Sequence, residues 1–534
     1  MSSEYSLPNF PLFKNALLYA KQSNPAPAID DIRTGKTHSY ADLIFAVAAL
    51  RNKLLNGESD LNEKRVAILC PSGFAYVVSQ WAVWAAGGIA VPLCTSHPLP
   101  EQVYSLEESK SALLLVHPVF QERQDHLVNE TKIPTMVVTD DGLSHKNDAL
   151  QAQALPTLFD MDINRRALIV FTSGTTGKPK GAVSTHDNID AQTSVLVSEW
   201  KWTPHDRIYH GLPLHHVHGI INALLCPLYA GATVEMHEKF DATKTWQRWA
   251  DTELKHLSPL TVFMAVPTVY SKLIASYKAM RNETDQQMYA KACQQFRFMV
   301  SGSASLPTPL RDAWYNISGH VLLERYGMTE LGMALSQPYD DRMEGTVGFP
   351  LPGVHVRLMA ESHEGSGVFD KDVTDTRDTS GQVQVKGRNV FKEYWQRPEA
   401  TAKDFTDGWF VTGDFGMRIK EKGYYQILGR GSIDILKTGG EKVSALEIER
   451  ELLSCDLGIL DVAVVGVPDP EWGQRVAAVV VLETNKTLDL TTMRTALKSK
   501  LAVYKVPMLL KTVVELPKNA MGKVTKKDLV ALFQ

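Results

Sequence analysis

The chain has no apolar run of membrane length. Its longest apolar stretches, near Trp81 to Cys94 and Ile220 to Val234, are short or interrupted by Asn222 and Pro227. They read as core elements, since a span needs about 20 apolar residues. A cysteine framework is missing too. Cys70, Cys94, Cys226, Cys293 and Cys455 are scattered, odd in number and without a C-x-x-C pair. That argues against a disulfide scaffold and a thiolate zinc site, and for a reducing compartment. Nor is there an excess of one charge: 56 basic and 60 acidic side chains leave a net charge of −4. No global field recruits nucleic acid or an anionic membrane, so an anionic substrate must be gripped by local cations. The first 24 residues hold Glu4, two lysines and no arginine, with prolines among the apolar residues. They fit neither a secretory signal nor an Arg-rich transit peptide, and the terminal "ALFQ" is no peroxisomal tail. The cytoplasm is the default expectation, with the mitochondrion as the alternative.

What is present is ample core material, 44% hydrophobic against 22% charged residues, in a chain too long for one core. From about residue 40 to 340, short apolar runs ("RVAILC", "ALLLV", "ALIVF", "TVFMAVP", "FRFMVSG", "HVLLERYG") alternate with helix-compatible segments. This predicts an α/β fold with a largely parallel sheet. Between about 345 and 430, closely spaced strands ("HVRLM", "GQVQVKG", "WFVTGD", "YYQILGR") predict a β-rich subdomain, with a polar loop from Glu361 to Gly381. In the last hundred residues Ser444 and Glu447 form a capping box ahead of Leu446, Ile448, Leu452 and Leu453, and strands "VAVVGV" and "VAAVVVL" follow. That is a small α+β unit. The expected division is an N-terminal domain over 1–429, a hinge over 430–436 and a mobile C-terminal domain over 437–534.

The segment "FTSGTTGKPKG", Phe171 to Gly181, follows the apolar run Ala167 to Val170. It fails the Walker A template: Gly177-Lys178 is followed by Pro179, and only Thr175 and Thr176 separate Gly174 from Gly177. Its amides and hydroxyls can still wrap a polyphosphate; the alternative is a surface loop of small residues.

The full string resembles the signature loop of the adenylate-forming superfamily, which includes acyl-CoA synthetases, nonribosomal adenylation domains and firefly luciferases. The resemblance continues in family order. It runs through "LPLHHVHG" (212–219), "SGSA" (301–304), "ERYGMTE" (324–330), "GTVGFPLPG" (345–353) and "WFVTGD" (409–414). "LGRGSIDILKTGGEKVSALEIE" (428–449) and "PKNAMGKVTKKDL" (517–529) complete it. It implies that a carboxylate attacks the α-phosphorus of ATP, pyrophosphate leaves, and a thiol then displaces AMP. By that resemblance Thr172, Ser173, Gly174, Thr175, Thr176, Gly177, Lys178, Pro179 and Lys180 hold the phosphates, while Thr176 and Glu330 serve Mg2+. Tyr326 offers its face to adenine beside Ser303 and Ala304, Gly327 and Thr329 belong to the ATP site, and Asp414 with Arg430 takes the ribose. Lys523 bridges carboxylate and phosphate oxygens during adenylation. The C-terminal domain then rotates about a residue between Ser432 and Asp434, so that Lys437, Gly439 and Gly440 approach coenzyme A. Taken singly, Glu330 reads as a solvated acid, Tyr326 as a core residue, Asp414 and Arg430 as a structural ion pair, and Lys523 as part of a basic face.

Two features bear on the acid. Arg325 precedes the Tyr-Gly of the aromatic motif, and His210, His215, His216 and His218 crowd one segment. With no carboxylate or cysteine at ligand spacing, zinc is not expected there. "LPLHHVHGIINALL", "FMAVPTVY", "VSGSASLP" and "LLERYGMTE" closely resemble malonyl-CoA synthetases. That implies a dicarboxylate held by Arg325 and His218, with His216, Ser301 and Met328 lining the acyl site. A guanidinium grips a second carboxylate through two parallel N–H bonds and rejects an uncharged tail; the alternative is a structural pairing of Arg325 with Glu324 or Glu330. The expected activity is ATP-dependent ligation of malonate to coenzyme A. Methylmalonate, a luciferase-like oxygenase, a carrier-loading adenylation domain and an inactive nucleotide-binding homologue are the alternatives. The expected partners are small molecules only, with no nucleic acid or membrane, and the expected assembly is a monomer or weak homodimer.

Overall fold

The computed structural model describes residues 5–22, 27–143, 154–172, 178–251, 259–363, 366–439, 441–498, 500–518 and 524–533. Its architecture is mixed α/β, with a large N-terminal part and a small C-terminal one. Ser173 to Gly177, Gly440 and Lys523, all expected site residues, lie outside the described residues.

Two sheets carry the N-terminal part. One has seven strands in the order Glu393–Tyr394, Lys180–Thr185, Arg166–Thr172, Ile89–Pro92, Arg65–Leu69, Leu113–Val116 and Thr135–Val137. Its pairings are parallel except those of Lys180–Thr185, which runs antiparallel to both neighbours. The second has nine strands, with a parallel centre of Leu323–Met328, Phe298–Ser301, Val262–Ala265, Arg207–His210, Thr233–Met236 and Pro27–Asp31. Parallel strands need covering on both faces, which is why runs such as Val262–Ala265 and Phe298–Ser301 are buried throughout and largely apolar instead of alternating. In this sheet the chain goes from Arg207–His210 to one neighbour, Thr233–Met236, and then crosses back to the other, Val262–Ala265. Such a reversal opens a crevice at the carboxyl ends of the strands. His210 and Ser301 are strand ends on that side.

The β-rich part is an antiparallel sheet of Phe369–Asp372, Val354–Glu361, Ser380–Gly387, Trp409–Arg418 and Phe405–Thr406, with Tyr425–Arg430 paired to Trp409–Arg418. The expected polar loop from Glu361 to Gly381 thus contains a strand, Phe369–Asp372. Its register is set by the partner Val354–Glu361 and not by its own sequence, "FDKD", three of whose four residues are exposed.

The C-terminal sheet joins Glu441–Ser444, Ile435–Thr438, Gly473–Leu482, Ile459–Asp469 and Leu509–Thr512. Ser444 caps the helix Ala445–Leu453 by accepting from Glu447 N–H at 3.1 Å, and Ala445, Ile448 and Leu452 fill the core beneath it. Residues 431–434 connect this sheet to Tyr425–Arg430. Asp434 is fixed there by Lys526 at 2.6 Å, and the same ammonium reaches Glu449 at 2.7 Å.

Candidate active site

The strand Leu323–Met328 organises the site, because successive side chains on a strand face opposite ways. Arg325 turns toward the histidine segment, while Tyr326 turns toward the antiparallel sheet.

On the Arg325 side, the guanidinium is buried, 5% exposed. Its Nη2 donates to Ser303 Oγ at 3.1 Å, Nε finds no partner, and among the described residues no carboxylate lies within ion-pair distance of it. Glu324 and Glu330 therefore do not neutralise it, and burial pushes its pKa down to about 9. The contrast with Arg207, equally buried but held by Asp30 and by Glu235 at 2.8 Å, is direct. Ser303 Oγ also lies 3.4 Å from His218 Nδ1. Ser303 has φ +66, a left-handed backbone that a residue with a Cβ adopts at a cost of order 1 kcal/mol. Gly302 beside it lies against the guanidinium: a Cβ there would stand 2.5 Å from Arg325 Cζ. His218 is buried with Nε2 unpartnered, and burial, aided by the Arg325 cation, holds it neutral well below the usual histidine range. It opens a π-helical turn, His218–Leu225, whose eight residues are all buried. A π-helical turn is a recurrent mark of functional sites, and it directs His218 toward Ser303. Ser301 Oγ is buried without a partner, Met328 is half-buried at the strand end, and the His216 ring packs 4.1 Å from that of His215.

On the Tyr326 side, the phenol donates to Asp414 Oδ2 at 2.6 Å, and Arg430 Nε stands 3.2 Å from Asp414 Oδ1. Asp414 and Arg430 are direct register partners, which is how residues sixteen apart meet. Tyr326 lies within the strand, next to a register shift at Gly327. That shift brings backbones together: a Cβ on Gly327 would meet Gly332 O at 2.0 Å. Thr329 sits in the turn that follows, and Ala304 lies exposed beside Ser303.

The phosphate segment is described only at its ends. Thr172 and Lys180 are paired across the antiparallel strands, and Thr172 Oγ1 donates to Lys180 O at 3.3 Å. Lys180 Nζ sits 3.6 Å from the Tyr394 ring centroid and 3.5 Å from Asp404. Tyr394 in turn donates to Glu330 Oε1 at 2.9 Å. Glu330 is buried, which pushes its pKa up, partly opposed by Tyr394 and by the Lys180 cation. Pro179 O accepts from Tyr104 at 2.7 Å, and Lys178 Nζ lies 5.5 Å above the Tyr104 ring. Tyr394, Asp404 and Tyr104 escaped the sequence reading, since none belongs to a phosphate motif. The apolar-flanked "KEYW" before Pro398 was the available signal for Tyr394.

Lys437 lies in the strand Ile435–Thr438 and Gly439 in the turn that follows it, at φ +58 with its N–H on Trp472 O at 2.9 Å. Among the described residues neither hydrogen-bonds to the Arg325 or Asp414 clusters.

Zinc was not expected around the histidines, for want of a cysteine or carboxylate at ligand spacing along the chain. The fold instead brings Cys94 and His97 against His215, with their ligand atoms within 4.8 Å of one another.

The comparisons agree with this geometry. Residues 18–395 match the AMP-binding enzyme family and residues 447–523 its C-terminal domain. The chain is 43% identical to the mitochondrial malonate–CoA ligase ACSF3 of Xenopus laevis, over 98% of this chain and 92% of that one. It is similar in structure to ATP-bound MatB of Rhodopseudomonas palustris, with TM-score 0.82, 34% identity, and 98% and 99% of the two chains covered. It is also similar to a malonyl-CoA ligase in a ternary product complex with methylmalonyl-CoA and AMP, with TM-score 0.64, 31% identity, and 94% and 99% covered. Two family models along one chain and a fold shared from end to end leave a single conclusion: the chain belongs to the AMP-binding enzyme family.

Proposed function

We propose that this enzyme ligates malonate to coenzyme A with ATP, through malonyl-AMP, releasing pyrophosphate and AMP. The observation that carries the choice of acid is the buried Arg325 guanidinium without an anionic partner among the described residues. A buried cation left unpaired is costly, and the second carboxylate of malonate supplies the missing charge. Ser303 Oγ and neutral His218 complete a polar end to the site.

In this reading Tyr326, Asp414 and Arg430 take the nucleoside. The ribose hydroxyls meet one carboxylate and one guanidinium, which offer both acceptor and donors. Phosphate groups fall to the 172–180 segment, with Lys180 leaving Tyr394 and Asp404 to meet them. Mg2+ fits Glu330: the carboxyl is buried and stripped of water, and a hard cation restores its charge through oxygen coordination. Bound there, Mg2+ would supply positive charge to offset that of the phosphate groups. Lys523 serves adenylation, and a rotation of 437–534 about 430–436 then brings Lys437, Gly439 and Gly440 to the coenzyme A thiol. Asp434, tethered to Lys526, is the pivot this reading favours among 432–434. Methylmalonate is the second reading, supported by the methylmalonyl-CoA in the related ligase complex; one methyl changes binding by only about 1–3 kcal/mol. Of the two compartments considered, the designation of the Xenopus laevis relative supports the mitochondrion.

The test is AMP formation with a panel of acids, with and without coenzyme A. Malonate-dependent AMP that needs the thiol for repeated turnover is expected. Equal turnover of butyrate and malonate would sink the proposal.

A further inference from the structure

Cys94 and His97 lie on the loop between the strand Ile89–Pro92 and the helix Leu99–Ser109, and His215 lies in the histidine segment that leads to His218. The three belong to no step of the ligation chemistry above. Their ligand atoms nonetheless converge within 4.8 Å, with Cys94 buried and both histidines half-buried. We propose that Cys94 Sγ, His97 and His215 form a three-ligand site for Zn2+, with a fourth position open to water.

The donor set is the one this cation prefers. Zinc takes one thiolate and two imidazoles in tetrahedral geometry, with Zn–S near 2.3 Å and Zn–N near 2.0–2.1 Å. Those bond lengths place donor atoms about 3.3–3.6 Å apart, so closing on the ion requires a contraction of at most roughly 1.5 Å. Softer sulfur disfavours Mg2+, which selects oxygen. Orientation is prepared as well: His97 Nδ1 lies 3.0 Å from Glu101 Oε2. A carboxylate on one ring nitrogen fixes the tautomer and leaves the other, Nε2, as the ligand. Ser96 Oγ stands 3.3 Å from Cys94 Sγ, a polar neighbour that stabilises charge on the sulfur. Burial opposes a thiolate there, yet hydrogen bonds from His215 and His97 bring the Cys94 thiol down to about 5.

The location gives the site a consequence. Glu101 and Tyr104 share the helix Leu99–Ser109, and Tyr104 holds Pro179 O of the phosphate segment at 2.7 Å. A cation on Cys94, His97 and His215 therefore clamps that helix to the histidine segment. It ties together the two parts of the protein that flank the phosphate segment and the Arg325 pocket.

The test uses the full chain, stripped with a chelator and free of ATP, and titrated with Zn2+ against a chromogenic chelator. One equivalent is expected. Co2+ in place of Zn2+ is expected to give a near-ultraviolet thiolate-to-metal charge-transfer band. Cys94→Ser should abolish the band and weaken Zn2+ at least 100-fold, His97→Ala at least tenfold, and Cys455→Ser should bind as the parent does. Glu101→Gln, which leaves all three ligands in place, should weaken binding roughly 10- to 100-fold and serves if a ligand variant fails to fold. Lack of stoichiometric uptake, or uptake that Cys94→Ser and Glu101→Gln leave unchanged, overturns the proposal.

Discussion

Replacing Arg325 with alanine separates a specificity residue from a structural one, because only the structural role predicts a large loss of stability. Among the described residues, the guanidinium makes one hydrogen bond, to Ser303, and no ion pair. Its depressed pKa, about 9, reports a charge that burial disfavours. Removing a buried, unpaired charge relieves a desolvation cost of several kcal/mol in the empty protein. It also forfeits the packing of the side chain, a loss of a few kcal/mol. The two offset, so Arg325→Ala should unfold within a few degrees of the parent. Substrate binding has no such offset. The second carboxylate of malonate would enter a buried site without its cation, at about 3–5 kcal/mol, which is roughly 100- to several-thousand-fold in kcat/KM. Initial rates of pyrophosphate release against malonate concentration measure this, with butyrate as the uncharged control. KM for ATP should stay within a few-fold, since Tyr326, Asp414 and Arg430 face the other side of the strand. Unchanged kcat/KM for malonate refutes the reasoning. So does a large fall in Tm with parallel loss of malonate and ATP binding, which would mark Arg325 as structural.

Three further outcomes follow from the same geometry. Asp414→Asn should raise KM for ATP at least tenfold while leaving KM for malonate within a few-fold, the mirror image of Arg325→Ala; equal changes in both would remove the division of labour along the strand. Glu330→Gln should lower the adenylation rate at least 100-fold and raise the Mg2+ concentration needed for half-maximal rate. An unaltered Mg2+ dependence would take the cation away from Glu330. His186 is fully buried with Nε2 unpartnered, and burial, reinforced by Arg165, pushes it down to about 3. Its folded pKa is depressed, so between about 3 and the ordinary value of 6.5 the unfolded chain binds more protons than the folded one. The stability tied to neutral His186 is therefore present above 6.5 and lost as pH falls, by up to about 1.4 kcal/mol per pH unit. His186→Phe removes that dependence. Urea unfolding at pH 7.5 and 5.5 should show the parent losing stability relative to the variant, and a pH-independent difference would contradict the argument.

The sequence by itself determined the elements whose cause is local. Continuous apolar runs became buried parallel strands because both of their faces need covering, and Ser444 with Glu447 became a helix start because a side-chain oxygen satisfies a free N–H within one turn. Family motifs likewise located Arg325, Tyr326, Glu330, Asp414 and Arg430. What joins them was decided only by tertiary structure, since each link spans residues far apart in the chain. Tyr326 meets Asp414 across 88 positions, Glu330 meets Tyr394 across 64, and Ser303 meets His218 across 85. No period or spacing encodes such contacts; sheet order and register do. The same holds for the absence, among the described residues, of a carboxylate paired with Arg325, since the sequence neighbours Glu324 and Glu330 were the obvious partners. Packing placed Glu330 on Tyr394 and left the guanidinium with Ser303. The gathering of Cys94, His97 and His215 is the clearest case. Spacing along the chain offered no such group, and the fold brings these three side chains together from a loop of the seven-stranded sheet and a histidine segment that follows a strand of the nine-stranded sheet.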